Sequence, residues 1–178
     1  NTFSVRPFRP DNSYPDNGRR YQTADFNNDG MTDLINYQDD RVGLWLSKGD
    51  GSFAIHQFAP GGDFFVGSGE KTKIGDFNGD NRDEVAVLYR DTRPEPERGD
   101  VRVALSSGSY LSPANKWLDN ACTGGQVCKS GDVNRDGQDD LVIFHRGDSG
   151  NVFVALSQGS YFAAPSLWHP YFCIGNQI

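Results

Sequence analysis

One acidic stretch occurs three times in this chain, and it limits what the chain can fold into more than any other feature. It runs Asp25-Phe26-Asn27-Asn28-Asp29-Gly30-Met31-Thr32-Asp33-Leu34, returns as Asp76-Phe77-Asn78-Gly79-Asp80-Asn81-Arg82-Asp83-Glu84-Val85, and ends as Asp132-Val133-Asn134-Arg135-Asp136-Gly137-Gln138-Asp139-Asp140-Leu141. Each copy carries oxygen-bearing side chains at positions 1, 3, 5 and 9. A tight loop with that spacing surrounds a hard cation such as calcium, which takes six to eight oxygen ligands. Three copies in 178 residues also make the chain a repeat array.

The expected ligands follow from the spacing, with a backbone carbonyl supplied at position 7. In the first loop they are Asp25, Asn27, Asp29, the carbonyl of Met31, and Asp33. In the second they are Asp76, Asn78, Asp80, the carbonyl of Arg82, and Glu84. In the third they are Asp132, Asn134, Asp136, the carbonyl of Gln138, and Asp140. Up to three calcium ions are therefore expected. Position 6 needs a left-handed backbone, which suits Gly30 and Gly137, with Asn81 next best. An EF-hand starts in the same way but requires a bidentate Glu at position 12 and helices on both sides. Position 12 here is Asn36, Val87 and Ile143, and the flanks are β-branched and aromatic, so the EF-hand is excluded. The metal-free alternative is three Asx-rich turns.

The flanks of each loop read as strands. Tyr21-Gln22-Thr23-Ala24 enters the first loop and Leu34-Ile35-Asn36-Tyr37 leaves it. Val42–Ser47 and Phe53–Phe58 follow, separated by the glycine turn Lys48-Gly49-Asp50-Gly51-Ser52. The second unit repeats this plan with Lys73-Ile74-Gly75, Val85–Tyr89 and Val101–Ser106, and the third with Leu141–His145 and Val152–Ser157. Short β-prone runs bounded by Gly, Asn, Asp and Ser are strand signals, and no stretch keeps a helical period. First aspartates lie 51 and 56 residues apart. Four strands in about 50 residues is one propeller blade. The expected fold is all-β: three full blades of four antiparallel strands at approximately 21–64, 71–118 and 127–172, plus partial terminal pieces, in a single repeat region 1–178. Residues 1–20 read as a short edge strand and a turn-rich loop, and Asp91–Gly99 as a solvated hairpin extension.

The formal charge of −7 argues against nucleic-acid binding, which needs a basic face. The acidic loops account for that charge. No apolar run is long enough to span a membrane as a helix, and Asn1 does not open a signal-peptide pattern, which reads as a mature or a cytosolic chain. Cys122 and Cys128 enclose five residues, as a disulfide or as two thiols; alone they lack the ligands for zinc. A disulfide together with calcium loops favours a secreted, extracellular setting.

The motif Asp-(Phe/Val)-Asn-x-Asp-Gly-x-x-Asp-Leu, followed by a strand, resembles the FG-GAP or VCBS repeat, the calcium-binding blade of integrin α-subunit propellers and of many secreted microbial proteins. The resemblance covers about 21–178. It implies a β-propeller with ions between the first two strands of each blade, and a domain that binds proteins or carbohydrates. Asn81 and Glu84 make the second loop depart from the pattern. Propellers of this family usually have six to eight blades. Cys173 aligns with Cys122, so the residue matching Cys128 would fall just past Ile178. The expectation is a piece of a longer repeat protein, or a ring closed by two chains.

Tyr110, Trp117, Tyr161 and Trp168 recur with the repeat, and Tyr171 and Phe172 follow them. They are either packing between blades or a platform for sugar rings. His56, His145 and His169 sit in no catalytic motif, and the acidic residues are better explained by calcium than by a glycosidase pair. Arg98-Gly99-Asp100 and Arg146-Gly147-Asp148 read as ordinary turns. The chain is therefore expected to be a non-enzymatic, calcium-stabilised binding module with carbohydrate as its ligand. Its alternatives are a non-catalytic portion of a larger secreted hydrolase and an adhesion module for an extracellular protein.

Overall fold

The computed structural model describes residues 20–38, 41–58, 71–89, 98–146 and 150–172. Among them there are twelve strands and no helix, arranged as three four-stranded antiparallel sheets. The first blade contains β1 (Arg20–Ala24), β2 (Asp33–Gln38), β3 (Arg41–Ser47) and β4 (Phe53–Phe58). The second contains β5 (Lys71–Gly75), β6 (Glu84–Leu88), β7 (Val101–Ala104) and β8 (Asn115–Leu118). The third contains β9 (Val127–Gly131), β10 (Asp140–Phe144), β11 (Val152–Ala155) and β12 (Ser166–His169). Within every sheet the strands neighbour one another in chain order.

The blades stack face to face, and the two-residue period of a strand supplies both faces. On β6, Val85 and Val87 join the core shared with the first blade, where Phe26, Ile35, Tyr37 and Leu44 meet them. The intervening Ala86 and Leu88 join the core shared with the third blade, beside Leu141, Ile143 and Phe162. All five residues of β6 are buried, as expected of a strand covered on both sides. Burial of Val85, Val87 and Leu88 stabilises the stack by about 1.5–3 kcal/mol each.

Most strand boundaries move by a residue or two from those read in the sequence, and the third strands of blades two and three end early. β7 and β11 end at Ala104 and Ala155, although β-prone residues continue to Ser106 and Ser157. The backbone bends there because the carbonyls of Leu105 and Leu156 accept the N–H groups of Ser112 and Ala163. Isolated bridges between Ser106 and Leu111, and between Ser157 and Phe162, close these turns. The fourth strands of blades two and three contain few β-branched residues and were marked in the sequence only by Trp117 and Trp168. The terminal strand and loop expected in 1–19, most of the 91–99 extension, the second Arg-Gly-Asp and Cys173 lie outside the described residues.

Candidate functional site

The three acidic loops adopt one conformation. Position 6 is left-handed at Gly30 (φ 78°), Asn81 (φ 63°) and Gly137 (φ 85°), as the spacing requires. Position 4 is left-handed too, at Asn28 (φ 59°), Gly79 (φ 80°) and Arg135 (φ 64°). That second turn was not anticipated from the sequence. Asn and Gly in the first two copies were the available signal, and Arg135 hid it in the third.

The two turns direct side-chain oxygens at one amide. The Asp29 N–H donates to Asp25 Oδ1 at 3.2 Å and to Asn27 Oδ1 at 3.1 Å. The Asp80 N–H does the same to Asp76 and Asn78 at 3.1 and 2.9 Å, and the Asp136 N–H to Asp132 and Asn134 at 3.2 and 3.0 Å. Position 5 then accepts the N–H of position 7, from Met31, Arg82 and Gln138 at 2.8, 2.9 and 2.9 Å. Positions 1, 3 and 5 therefore stand together in every loop.

Position 9, expected as a ligand, is also engaged within its own blade. Asp33, Glu84 and Asp140 are fully buried, and each carboxylate clamps two backbone amides of its own blade. Asp33 accepts the N–H of Phe26 at 3.0 Å and of Ser47 at 2.8 Å. Glu84 accepts Phe77 at 2.9 Å and Ser106 at 3.5 Å. Asp140 accepts Val133 at 3.2 Å and Ser157 at 2.9 Å. The clamp ties the start of the loop to the far end of the third strand.

Burial raises the affinity of these carboxylates for protons. It lifts Asp33 and Asp140 above the usual range and pushes Glu84 up to about 8, with the Asp80 charge adding to the shift. Successive loops also touch. The Asp83 N–H donates to the Asp25 carbonyl at 2.9 Å, and the Asp25 N–H returns a bond to Asp83 Oδ2 at 2.8 Å. The Asp139 N–H donates to the Asp76 carbonyl at 2.6 Å. Burial, and then the Asp83 charge, push Asp139 up to about 6.

The donor chemistry of loops one and three fits a hard divalent cation: carboxylates at positions 1 and 5, an amide oxygen at position 3 and a carbonyl at position 7. Among the described residues no group of three or more His, Cys, Asp and Glu side chains is placed to hold a metal, consistent with the clamped position 9. The second loop fits less well. The Arg82 guanidinium pairs with the Asp80 carboxylate and also donates to the Ser106 carbonyl at 3.3 Å. A protein cation thus stands at an oxygen of the expected ligand set.

The repeated aromatic residues separate into two kinds. Tyr110 and Tyr161 are 57% and 53% exposed on equivalent turns, closed by Ser107 N–H to the Tyr110 carbonyl (3.0 Å) and Gln158 N–H to the Tyr161 carbonyl (2.9 Å). Those turns lie against the acidic loop of the preceding blade. A Cβ at Gly108 would stand 3.7 Å from Asn27, and one at Gly159 would stand 3.6 Å from the Asn78 carbonyl oxygen. Trp117, by contrast, is only 6% exposed and meets Phe162 edge-on at 5.4 Å, so it packs between blades and offers no open face. Its counterpart Trp168 is 47% exposed.

Other candidates also find their places. His145 stacks on Phe153 at 4.7 Å, and His169 meets Phe172 at 5.8 Å. Arg98-Gly99-Asp100 is unavailable as an adhesion tripeptide, because Gly99 and Asp100 are buried. Asp100 faces Arg102 and Lys116 at 3.5 and 3.9 Å instead. Cys122 and Cys128 form a disulfide buried between the second and third blades.

Residues 25–87 match the family model of the FG-GAP-like repeat. That segment holds the first two acidic loops. No curated protein matches the chain. Among solved structures, an Agrocybe aegerita lectin, described for specific recognition of non-reducing terminal N-acetylglucosamine, superposes with a TM-score of 0.69 at 21% identity. The match covers 87% of this chain and 39% of the lectin chain. A chain of the Photorhabdus luminescens Tc holotoxin pore superposes with a TM-score of 0.60 at 16% identity, over 89% of this chain and 7% of that one. The chain thus spans well under half of either structure, and at these identities the likeness is one of fold.

Proposed function

We propose that this chain is a calcium-stabilised, non-catalytic propeller module of an extracellular protein, and that it binds carbohydrate. The observation that carries the reading is the repetition of one surface. Tyr110 and Tyr161 stay open on equivalent turns, each beside the acidic loop of the preceding blade. An exposed aromatic ring next to fixed polar groups suits a pyranose, whose faces are apolar and whose edge carries hydroxyls. Equivalent sites on one rigid body bind branched glycans with avidity. The lectin with the same fold supports this reading, and its ligand makes N-acetylhexosamines the first class to test.

In this reading Asp25, Asn27, Asp29 and the Met31 carbonyl hold one ion, and Asp132, Asn134, Asp136 and the Gln138 carbonyl hold another. The equivalent set of the second loop is weakened by Arg82. Calcium supplies two positive charges to loops rich in carboxylates. Asp33, Glu84 and Asp140 hold the loop to the blade from beneath. The buried disulfide fits an oxidising compartment. A glycan array probed with calcium and again with EDTA tests the proposal. Retention of N-acetylated glycans that weakens on chelation is expected; retention of no glycan overturns it.

A second reading, a protein-binding module, is supported by the occurrence of the same fold in a toxin assembly.

A further inference from the structure

The first strands of the three blades repeat one another, and one position on them changes charge. Gln22 on β1, Lys73 on β5 and Lys129 on β9 each stand three residues before the first aspartate of their loop. At the first blade interface this position is neutral and satisfied. Gln22 Oε1 accepts the Tyr37 hydroxyl at 3.0 Å and the Thr72 hydroxyl at 2.6 Å.

At the second interface the repeat puts Leu88 in the place of Tyr37 and Cys128 in the place of Thr72. Both are buried, and Cys128 is bridged to Cys122. Neither supplies an oxygen to Lys73. The Lys73 ammonium donates to the Thr72 carbonyl at 3.2 Å, which is one acceptor for three N–H groups.

The neighbouring charges have the wrong sign to complete it. The Ser130 hydroxyl of β9 donates to the Ile74 carbonyl of β5 at 2.8 Å, which holds the two first strands together. Lys129 thereby comes close to Lys73, and Lys71 lies on the same strand. Burial, and then the charges of Lys129 and Lys71, hold the Lys73 ammonium below the usual lysine range. Among the described residues no carboxylate stands within ion-pair distance of Lys73 or Lys129. In a chain of net charge −7 this is a local reversal of sign.

We propose that Lys73 and Lys129 hold one oxyanion group, a carboxylate, sulfate or phosphate, where the first strands of blades two and three meet. Lys73 donates from its half-buried position, Lys129 closes on the anion from the exposed side, and Lys71 adds positive charge. An ammonium is a compact charge on a flexible stem, so it serves each of these anions. The group is carried either by a free inorganic ion or by an acidic sugar. The site uses none of the acidic-loop ligands and stands independently of the carbohydrate reading above.

The test is titration calorimetry on the intact, calcium-free chain in Tris chloride, with inorganic phosphate, methyl β-glucuronide and the uncharged methyl β-glucoside as probes. Leaving calcium out keeps an anion from binding to the metal instead. At least one of the two anions should bind. Tighter binding of phosphate makes a free ion the ligand. Tighter binding of the glucuronide makes it an acidic sugar, and the glucoside should then bind about tenfold more weakly or less. Lys73→Met and Lys129→Met keep much of the side-chain length and remove the charge. Each should weaken anion binding by about tenfold, the loss of one charge-assisted hydrogen bond. Lys48→Met, on the glycine turn of the first blade, should leave it unchanged. Lys129 is exposed, so its variant carries the test if Lys73→Met disturbs the packing. Binding of neither anion by the unmodified chain, or unchanged anion binding in the Lys73 and Lys129 variants, overturns the site.

Discussion

The Ser106 hydroxyl donates to the Phe26 carbonyl oxygen at 2.6 Å, and the Ser157 hydroxyl makes the same bond to the Phe77 carbonyl at 2.6 Å. Each serine joins its own blade to the loop of the blade before it. The serine N–H groups go to the position 9 carboxylates, Glu84 and Asp140, which also hold the N–H groups of Phe77 and Val133. A continuous relay therefore runs from Phe26 through Ser106, Glu84, Phe77, Ser157 and Asp140 to Val133. It crosses two blade interfaces and passes through the base of all three acidic loops.

Removing a hydroxyl from this relay should cost more than an exposed serine would. Ser106 and Ser157 are buried, so alanine at either leaves a loop carbonyl without its donor. Ser106→Ala and Ser157→Ala should each destabilise by about 1–3 kcal/mol in urea unfolding. If the relay couples the blades, the m-value should also fall or the transition broaden, as when a repeat array loses an interface. A loss below about 0.5 kcal/mol with an unchanged m-value would show that the apolar stack alone holds the blades together.

Glu84→Gln isolates the clamp from its charge. Glutamine keeps one acceptor oxygen but turns an NH2 group towards either the Phe77 or the Ser106 amide, leaving a buried N–H unpaired. The expected loss is about 1–3 kcal/mol by chemical denaturation with calcium absent. If position 9 acted only as a metal ligand, the substitution would change nothing without calcium and would weaken calcium binding alone.

Chelation and Arg82 test the metal assignment together. With EDTA the melting temperature should fall by several degrees, since a ligand bound only to the folded state stabilises it by mass action. Asp29→Asn and Asp136→Asn should each remove part of that difference. Arg82→Ser should add to it, because the guanidinium no longer pairs with Asp80 and the second loop comes to resemble the other two. Calorimetric stoichiometry checks this: the substitution should raise the affinity or the number of ions bound. A melt unmoved by EDTA in every variant would remove calcium from the description.

What the sequence disclosed follows from the distance over which each feature is decided. Nine of the twelve strands, the four-strand period and the left-handed Gly30, Asn81 and Gly137 depend on local residue types and were readable, whereas β8, β9 and β12 were implied only by the period. The task of Asp33 was not, because its second partner is the Ser47 amide at the far end of the third strand. Trp117 and Trp168 have nearly the same sequence surroundings but differ in exposure, 6% against 47%. The difference comes from Phe162 of the next blade, which covers only Trp117. Arg98-Gly99-Asp100 was legible as a turn, but not that Asp100 would be buried in it beside Arg102 and Lys116.

The Cys122–Cys128 bridge closes a small loop at the blade interface, with a sequence separation of 6. The chain-entropy estimate for so short a loop is roughly 2 kcal/mol. Both sulfurs are buried in the core shared by blades two and three, so two added thiols would change packing as well as entropy. Cys122→Ser with Cys128→Ser places two hydroxyls in that core, whereas the paired alanine substitution does not, and the double-serine protein should be the less stable of the two. Hydrogen exchange should show the added opening at Ala121–Val127 and along β9 while the first blade keeps its protection, because a stacked array loses stability first at the weakened interface. Uniform loss of protection across all three blades would instead show that the sheets open as a single cooperative unit.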